Sequence, residues 1–283
     1  MLIHLDNEYF ELIKNETKNI ELRLNDEKRR TLRVGDIIEF ENRKDKEKIY
    51  CKIIKLHYAE NFEKLYNYFA NNDILSEQLG NVTCSMLEKF YSKEEQNKYG
   101  VVGIEIKKIK EIVYNPSEIA ESSINRVVKR AKILLINDNN EVLICNSKNN
   151  YFLLGGHVEG DELDISCLTR ELKEEAGINI DLSSMKFFMS IKYLSKDYPE
   201  EGINSLSLAN YYYLKSNVSP SLKDTNLTEE EEAGNFRIEQ IPLTKIIDVL
   251  TDSLEYATRK IVVVDTIEVL KEFIEEYYES INN

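Results

Sequence analysis

Three glutamates near the middle of the chain have a spacing that suits metal chemistry. Glu171, Glu174 and Glu175 stand at positions i, i+3 and i+4 of a stretch with helical periodicity. This spacing places all three carboxylates on one face of a helix. Like charges so close together repel one another, and a bound divalent cation would relieve that repulsion. Because hard oxygen ligands suit Mg²⁺ or Mn²⁺, we expect a site for one of these ions here.

The residues around this acidic face are candidates for supporting it. Arg170 adjoins the glutamates and can hold a carboxylate through two parallel hydrogen bonds. We expect Glu162 to be its partner, bracing the loop that enters the helix. Gly155 and Gly156 allow a tight turn in which the backbone approaches a ligand closely. The carbonyl of Gly156 is therefore a further candidate metal ligand.

The elements that position these residues follow from hydrophobic periodicity. Ile165, Leu168, Leu172 and Ala176 recur at helical steps, which predicts a helix over residues 164–176 that ends at a glycine. Alternating and apolar runs predict strands before and after it, over residues 126–136, 142–145, 185–194 and 206–214. Farther on, a long amphipathic helix is expected over residues 254–278, with its apolar positions at Ile261, Val264, Ile267, Leu270, Ile274 and Tyr277.

The segment GHVEGDELDISCLTRELKEEAGI, residues 156–178, resembles the Nudix box at every position of that family's pattern. The matching residues are Gly156, Glu162, Arg170, Glu171, Leu172, Glu174, Glu175, Gly177 and Ile178. The resemblance implies an α/β/α sandwich with a mixed sheet over residues 126–250. It also implies metal-dependent cleavage of a pyrophosphate bond in a nucleoside diphosphate derivative. The three helix glutamates and the Gly156 carbonyl would then hold one to three divalent ions.

The resemblance leaves the general base open. One of the helix glutamates can serve, or a carboxylate from a later loop. The run Glu229–Glu232 stands where some family members supply that later carboxylate, and a solvated acidic turn is the equal alternative. His157 occupies a position that the family pattern leaves free, so we expect it to be structural or exposed on the loop.

The N-terminal half reads as a small barrel with short helices. Strands are predicted over residues 21–24, 37–40, 49–56 and 101–109, and helices over residues 7–14, 62–69 and 85–90. Strand-rich sequence with short intervening helices favours a barrel over a doubly wound sheet. The whole chain is therefore expected to be an α+β protein of two domains.

A second resemblance lies in this half. The pattern Lys18-x-x-Glu21-x-Arg23, with VGDIIEF at residues 34–40 and KYGVVGIEI at residues 98–106, is similar to the ASCH domain. The resemblance implies a PUA-like barrel that binds RNA or a modified nucleoside. Two positions depart from the family pattern. Glu16 replaces its glycine, and Glu21 replaces the threonine of the amidohydrolase members, which argues against amidase activity. Lys18, Glu21 and Arg23 either line the mouth of a pocket or form an internal ion pair.

The charge of the chain is divided unevenly between its halves. Residues 1–113 carry a net charge of −1 and residues 114–283 carry −13, which together give −14. The acidic half repels long nucleic acids, so the N-terminal half is the better candidate for binding them. Its basic cluster, Lys28, Arg29, Arg30 and Arg33, is either part of such a surface or a solvated turn.

Polar sequence around Pro116 interrupts the strand pattern and predicts a linker. We therefore expect an ASCH-like domain over residues 1–113, a linker over 114–125, a Nudix domain over 126–250 and a C-terminal helix over 251–283. That helix is expected to pack on the Nudix domain, with a homodimer contact as the alternative.

Two functional hypotheses follow. The first is an active hydrolase whose N-terminal domain recognises part of a nucleotide or RNA. The second is a nucleotide- or RNA-binding regulator that uses its Nudix domain as a ligand sensor. Four scattered cysteines predict free thiols, and no apolar run of membrane-spanning length is present, so we expect a cytoplasmic protein without a membrane partner.

Overall fold

The fold was obtained as a computed structural model that describes residues 1–221, 225–226, 234–276 and 278. The chain divides into two compact units, Met1–Ile109 and Lys110–Asn283. No helix in the described ranges combines the length and apolar character needed to cross a membrane. None of the four cysteines, all of which lie in the described ranges, forms a disulfide.

The first unit is built on a five-stranded mixed sheet that curls into half a barrel, as the sequence predicts. Its strands, in the spatial order β1-β3-β4-β5-β2, are β1 (Leu2–Leu5), β2 (Ile20–Leu24), β3 (Ile37–Asn42), β4 (Lys48–Ala59) and β5 (Val101–Lys108). The β1–β3 pair is parallel and the other pairs are antiparallel. Its helices are α1 (Asn7–Lys14), α2 (Phe62–Ala70), α3 (Cys84–Leu87) and α4 (Lys93–Tyr99).

Two apolar clusters stabilise this unit. Phe10 and Ile13 of α1 pack with Phe40 and other residues of the central strands in one cluster. Phe69 and two further residues of α2 pack on β2 in the other. Burying a large apolar side chain contributes about 1.5–3 kcal/mol relative to exposure, so these contacts hold the short helices against the sheet.

The turn after α1 contains the residue that replaces the family's glycine. Glu16 has a φ of 65°, in the left-handed region that favours glycine. A non-glycine residue in this conformation costs about 1–2 kcal/mol. The turn is closed by hydrogen bonds from the Glu16 N–H to the Ile13 carbonyl at 3.0 Å and from the Lys18 N–H to the Leu12 carbonyl at 2.9 Å. The backbone at Glu16 therefore adopts a conformation that a glycine would reach without this cost.

The second unit is built on a seven-stranded mixed sheet. Its strands are β6 (Lys110–Tyr114), β7 (Arg126–Ile136), β8 (Glu141–Ser147), β9 (Asn150–Phe152), β10 (Lys186–Ser195), β11 (Ser205–Lys215) and β12 (Arg237–Pro242). Their order is β12-β8-β7-β11-β10-β6, and β9 pairs with β8. The helices are α5 (Asp164–Ala176), α6 (Leu243–Ser253) and α7 (Lys260–Glu276).

Helices cover both faces of this sheet. On one face α5 packs against Ala131, Ile133 and Leu135, the odd-numbered residues of β7. On the other face α6 and α7 pack against the even-numbered residues Leu134 and Ile136. Because side chains alternate along a strand, β7 supplies both apolar layers. The three layers confirm the α/β/α arrangement expected from the Nudix resemblance.

The division between the units falls between Ile109 and Lys110. We assigned residues 110–113 to the first domain because they continue an apolar run. In the structure they form most of β6, which pairs in parallel with β10 at the edge of the second sheet. Long-range strand pairing, which local sequence does not encode, assigns this segment to the second unit.

The C-terminal helix differs from its prediction in extent and in its buried face. Helix α7 begins at Lys260 and is separate from α6. Ile261 is 54% exposed and Val264 is 37% exposed, so these two expected core positions are wrong. Ile267 and Leu270 are buried as predicted, and Tyr277 lies outside the described residues. The apolar stripe was placed out of phase because both faces of α7 contain aliphatic residues near its start; the buried positions there include Val263, Thr266 and Val269.

Candidate active site

Helix α5 carries the three glutamates and is fixed to the sheet by its opposite face. Leu168, Leu172 and Ala176 are fully or almost fully buried in the core. Ile165 is 36% exposed, so its predicted core position is wrong; Cys167 is buried instead. The helix ends at Gly177, whose left-handed conformation allows the next residue to donate a hydrogen bond back to the Leu172 carbonyl at 3.0 Å.

The carboxylate of Glu171 lies directly over Gly156. A Cβ atom added to Gly156 would be 2.1 Å from Glu171 Oε1, closer than any real contact. Hydrogen is therefore the only side chain that leaves the Glu171 carboxylate where it is. Glycine is needed at this position for the space that it leaves and not for its backbone conformation, because its φ is outside the left-handed region.

Glu175 is buried and reaches the same turn from the helix. Its Oε2 accepts a hydrogen bond from the Gly155 N–H at 2.9 Å. Gly155 has a φ of 112°, and a Cβ there would be 2.3 Å from the Ala131 carbonyl oxygen. Both the backbone conformation and the space thus require glycine at 155. The two glycines bring the loop backbone against two of the three helix glutamates.

Arg170 lies among the acidic side chains and partly compensates their charge. Its Nη1 donates to Glu171 Oε1 at 2.8 Å and to Glu174 Oε2 at 3.3 Å. Its Nη2 donates to Glu162 Oε1 at 2.7 Å and to the His157 carbonyl at 2.9 Å. The pKa of Arg170 is strongly raised, mainly because of its hydrogen bond to Glu162. The same bond holds the pKa of Glu162 below its usual value.

Two carbonyl oxygens of the loop have different partners. The Gly156 carbonyl accepts the Ala131 N–H at 3.1 Å. The Gly155 carbonyl accepts a hydrogen bond from the ammonium group of Lys132. In the described part of the chain, no three His, Cys, Asp or Glu side chains converge as a group that could hold a metal ion. Lys132 is the cation that contacts the Gly155 carbonyl, and Arg170 is the cation that contacts the carboxylates of Glu162, Glu171 and Glu174.

The sequence reasoning missed two parts of this arrangement. Lys132 is the last basic residue before the apolar end of β7, which is the signal that could have drawn attention to it. Asp164, at the start of α5, accepts hydrogen bonds from Asn210 Nδ2 at 2.8 Å and from the Tyr212 hydroxyl at 2.6 Å. These bonds attach the N-terminal end of α5 to β11, so they help to set the position of the glutamates.

We predict that Arg170→Lys weakens Mg²⁺ binding and lowers stability together. A lysine ammonium cannot reproduce the planar fork that joins Glu162, Glu171 and Glu174. Loss of one or two charge-assisted hydrogen bonds is expected to cost about 1–3 kcal/mol. Calorimetric Mg²⁺ titration and thermal unfolding measure the two effects. Arg237→Lys, at an arginine paired with Glu239 away from this loop, is the matched control. Wild-type melting and Mg²⁺ affinity in Arg170→Lys would contradict the bracing role.

In the first unit, the three candidate side chains form one connected ionic group. Lys18 Nζ lies 3.0 Å from Glu21 Oε2, and Arg23 Nη2 lies 2.8 Å from Glu21 Oε1. The side chains of Lys18 and Glu21 are only 3% and 4% exposed. Arg23 also donates to the hydroxyl of Tyr91 at 3.2 Å. Lys18 lines a cavity of about 270 Å³, so the internal ionic group also borders a space.

The remaining candidates are placed as follows. Glu229–Glu232 lie outside the described residues. His157 is exposed on the loop and pairs with Arg130 through an antiparallel bridge. In the basic cluster, Arg29 pairs with Asp26 at 2.8 Å, and Arg30 and Arg33 donate to backbone carbonyls of their surroundings. Much of that cluster's hydrogen-bonding capacity is therefore used locally.

Comparison with known proteins identifies both halves of the chain. The ASCH domain family matches residues 3–110, and the NUDIX domain family matches residues 127–256. No curated protein sequence matches the chain.

Several solved structures are similar to part of the chain. Protein PF0455 from Pyrococcus furiosus is 32% identical, with 39% of this chain and 99% of that chain covered and a TM-score of 0.30. A MutT protein from Bacillus halodurans is 16% identical over 46% of this chain and 79% of its own, with a TM-score of 0.34. The Nudix domain of Shewanella oneidensis NrtR, solved with ADP ribose, is 13% identical over 56% of this chain and 94% of its own, with a TM-score of 0.37.

Proposed function

We propose that this chain, whose residues 3–110 match the ASCH domain family and whose residues 127–256 match the NUDIX domain family, is a Nudix pyrophosphohydrolase that cleaves nucleoside diphosphate derivatives with Mg²⁺ or Mn²⁺. The proposal rests on one observation: the side chains of Glu171 and Glu175 contact the glycine turn at residues 155–156. Glu174 joins the same group through Arg170. Glu171 and Glu175 thus contact the turn directly, and Arg170 links Glu174 to Glu171.

The donor set fits a hard divalent cation. Carboxylate and carbonyl oxygens are the ligands that Mg²⁺ and Mn²⁺ prefer, and two cationic side chains already contact them here. We assign Glu171, Glu174 and Glu175 to the ion. For the backbone ligand, Gly155 is a better candidate than Gly156, because Lys132 shows that its oxygen is open to a cation. When bound, such an ion neutralises charge on phosphate oxygens and lowers the pKa of an attacking water.

The chain's own residues have three tasks in this mechanism. Arg170 and Glu162 hold the loop in place, so that the carboxylates do not have to reorganise during the reaction. The Asp164 contacts with β11 fix the start of the helix. The hydrogen bond from the Gly155 N–H to the buried Glu175 fixes the position of the turn relative to the helix. Together they preorganise oxygen atoms around the place where the pyrophosphate would be cleaved.

A panel of nucleoside diphosphate derivatives tests this proposal. We expect Mg²⁺-dependent release of phosphate-containing products from at least one member, and loss of that release when EDTA is added. Binding of panel members without turnover under any Mg²⁺ or Mn²⁺ concentration would instead support the regulator hypothesis. Four cysteines without a disulfide suit a reducing compartment, so we propose a cytoplasmic location.

We propose that the ASCH domain recognises a remote part of the substrate, such as a base, a modified nucleoside or an RNA end. Its net charge near zero suits one nucleotide better than a long duplex. Removal of residues 1–109, which leaves β6 in the second sheet, should preserve turnover of a small generic substrate. Turnover of the best panel substrate should fall, because remote binding energy positions the reacting bond.

The comparison requires both forms of the protein on both substrates. Far-UV circular dichroism and melting of the shortened chain show whether its Nudix domain remains folded. An equal ratio of the two activities in the full and shortened chains would contradict a role for the ASCH domain in recognition.

A further inference from the structure

Three arginines of the second unit stand out because they lack acidic partners. Arg126 and Arg130 lie on β7, and Arg259 directly precedes α7. No carboxylate lies within 4.0 Å of any of them among the residues that the structure describes. Residues 114–283 carry a net charge of −13, so acidic partners are abundant in this half of the chain. Three uncompensated arginines in such surroundings are unexpected for a surface that serves only solubility.

The geometry of the sheet places two of these arginines on one face. Side chains alternate along a strand, so Arg126, Arg130 and Lys132 leave β7 on the same side. This is the face that α7 covers farther along, since Leu134 belongs to the apolar cluster under that helix. Arg130 is half-buried, and its Nη1 donates to Ser207 Oγ of the neighbouring β11 at 2.6 Å.

Arg259, in the segment before α7, lies within electrostatic range of Arg130. Its backbone N–H donates to Asn150 Oδ1 at 2.7 Å, and Asn150 Nδ2 donates to Thr258 Oγ1 at 2.8 Å. These bonds fix the segment that presents Arg259. Burial lowers the pKa of Arg130, and the positive charges of Arg259 and Arg126 lower it further. Arg126 and Arg259 are thus each close enough to Arg130 for their charges to act on it, and an anion bound beside Arg130 would relieve that repulsion.

The cluster adjoins the loop of the candidate active site. Arg130 pairs with His157, the residue that follows the Gly155–Gly156 turn. Lys132, on the same face, contacts the Gly155 carbonyl. On the other side of that turn, Glu175 accepts the Gly155 N–H. A continuous series of contacts therefore leads from Glu175, through the glycine turn, to the face of β7 that carries Arg126 and Arg130.

We propose that Arg126, Arg130 and Arg259 bind a phosphate group of the substrate other than the two joined by the cleaved bond. This inference rests on the proposed function, because it assumes that the ion assigned to the glutamates would bind the reacting pyrophosphate. Guanidinium groups match phosphate oxygens in charge and in planar geometry. Tyr198, 60% exposed and within electrostatic range of Arg130, offers an aromatic surface beside the same site. The preferred substrate is then a nucleotide with at least three phosphate groups.

Two matched pairs of compounds test the source of the additional phosphate. ADP and ATP differ by a phosphate at the end of the chain, and NAD and NADP differ by a phosphate on the ribose. Binding is measured by calorimetry with Mg²⁺ on full-length Glu175→Gln, which limits turnover. In at least one pair, the member with the additional phosphate should bind about tenfold more tightly or better, the effect of one charge-assisted contact.

Variants then assign that preference to the cluster. Arg130→Gln, in the Glu175→Gln background, should remove the preference while leaving the affinity for ADP or NAD nearly unchanged. Arg259→Gln should reduce it, and because Arg259 is exposed, this variant is not expected to disturb folding. Arg237→Gln removes the same charge from β12 and should keep the full preference.

The outcomes separate this inference from the proposed function. Equal affinities within both pairs, or a preference that survives both cluster variants, would overturn the inference. Hydrolysis by the wild-type protein is measured in parallel with the same four compounds. Turnover without a phosphate preference contradicts the inference alone. A phosphate preference in binding, with no turnover of any nucleotide derivative, supports the cluster and contradicts the hydrolase.

Discussion

Glu175→Gln is expected to reduce Mg²⁺-supported hydrolysis roughly a hundredfold or more, because removal of one preorganised electrostatic group from an active site has an effect of this size. Glutamine nearly preserves the shape of the side chain and retains one oxygen that can accept the Gly155 N–H. The substitution removes the negative charge with which Glu175 would bind the divalent ion. The loss should therefore appear in kcat at saturating substrate and Mg²⁺.

The fold is expected to tolerate this change. Glu175 is buried and projects from the helix face that also carries Glu171 and Glu174, so loss of its charge relieves repulsion while weakening one hydrogen bond. We expect the free energy of unfolding to change by no more than about 1 kcal/mol in either direction. Glu268→Gln, on the partly exposed side of α7, is the matched control and should retain full activity. Full activity of Glu175→Gln with saturating Mg²⁺ would remove the basis for the metal assignment.

The largest expected effect on stability is that of Glu21→Gln, at about 3–5 kcal/mol. Lys18 and Arg23 both pair with the Glu21 carboxylate, and Lys18 is only 3% exposed. The substitution leaves two positive charges inside the first unit without a counter-charge. Burial alone would raise the pKa of Glu21, but Arg23 and Lys18 outweigh it, and the pKa stays below its usual value. The favourable contribution is therefore present above the pH at which an unfolded glutamate titrates, and it is lost on further acidification.

Hydrogen exchange of the full-length chain measures this effect within one unit. Protection of the amides in β2 and β5 should fall by about two to four orders of magnitude, as this free-energy change requires. Protection in α5, in the second unit, should not change. Replacing the whole group, as Lys18→Met, Glu21→Leu and Arg23→Met, should recover much of the loss, since no unpaired charge remains. Unchanged β2 protection in Glu21→Gln would show that the group is not closed to water.

The sequence determined those features that depend on neighbours along the chain. The helix over residues 164–176 and the strand over residues 126–136 were predicted with the bounds that the structure gives them. Helical periodicity, a terminal glycine and apolar runs are local signals, so they can be recognised in the sequence without knowledge of the fold. The same holds for the spacing of Glu171, Glu174 and Glu175, which identified the Nudix segment before any contact was known.

Only the tertiary structure decided how distant residues combine. The contacts of Glu175 with Gly155 and of Lys132 with the same turn depend on how α5 packs on β7. The assignment of residues 110–114 to the second sheet depends on a parallel pairing with a strand more than seventy residues away. The grouping of Arg126, Arg130 and Arg259 depends on the alternation of side chains along β7 and on where the segment before α7 lies. Such contacts arise from the packing of complete elements, and no local window of sequence contains the residues on both sides of them.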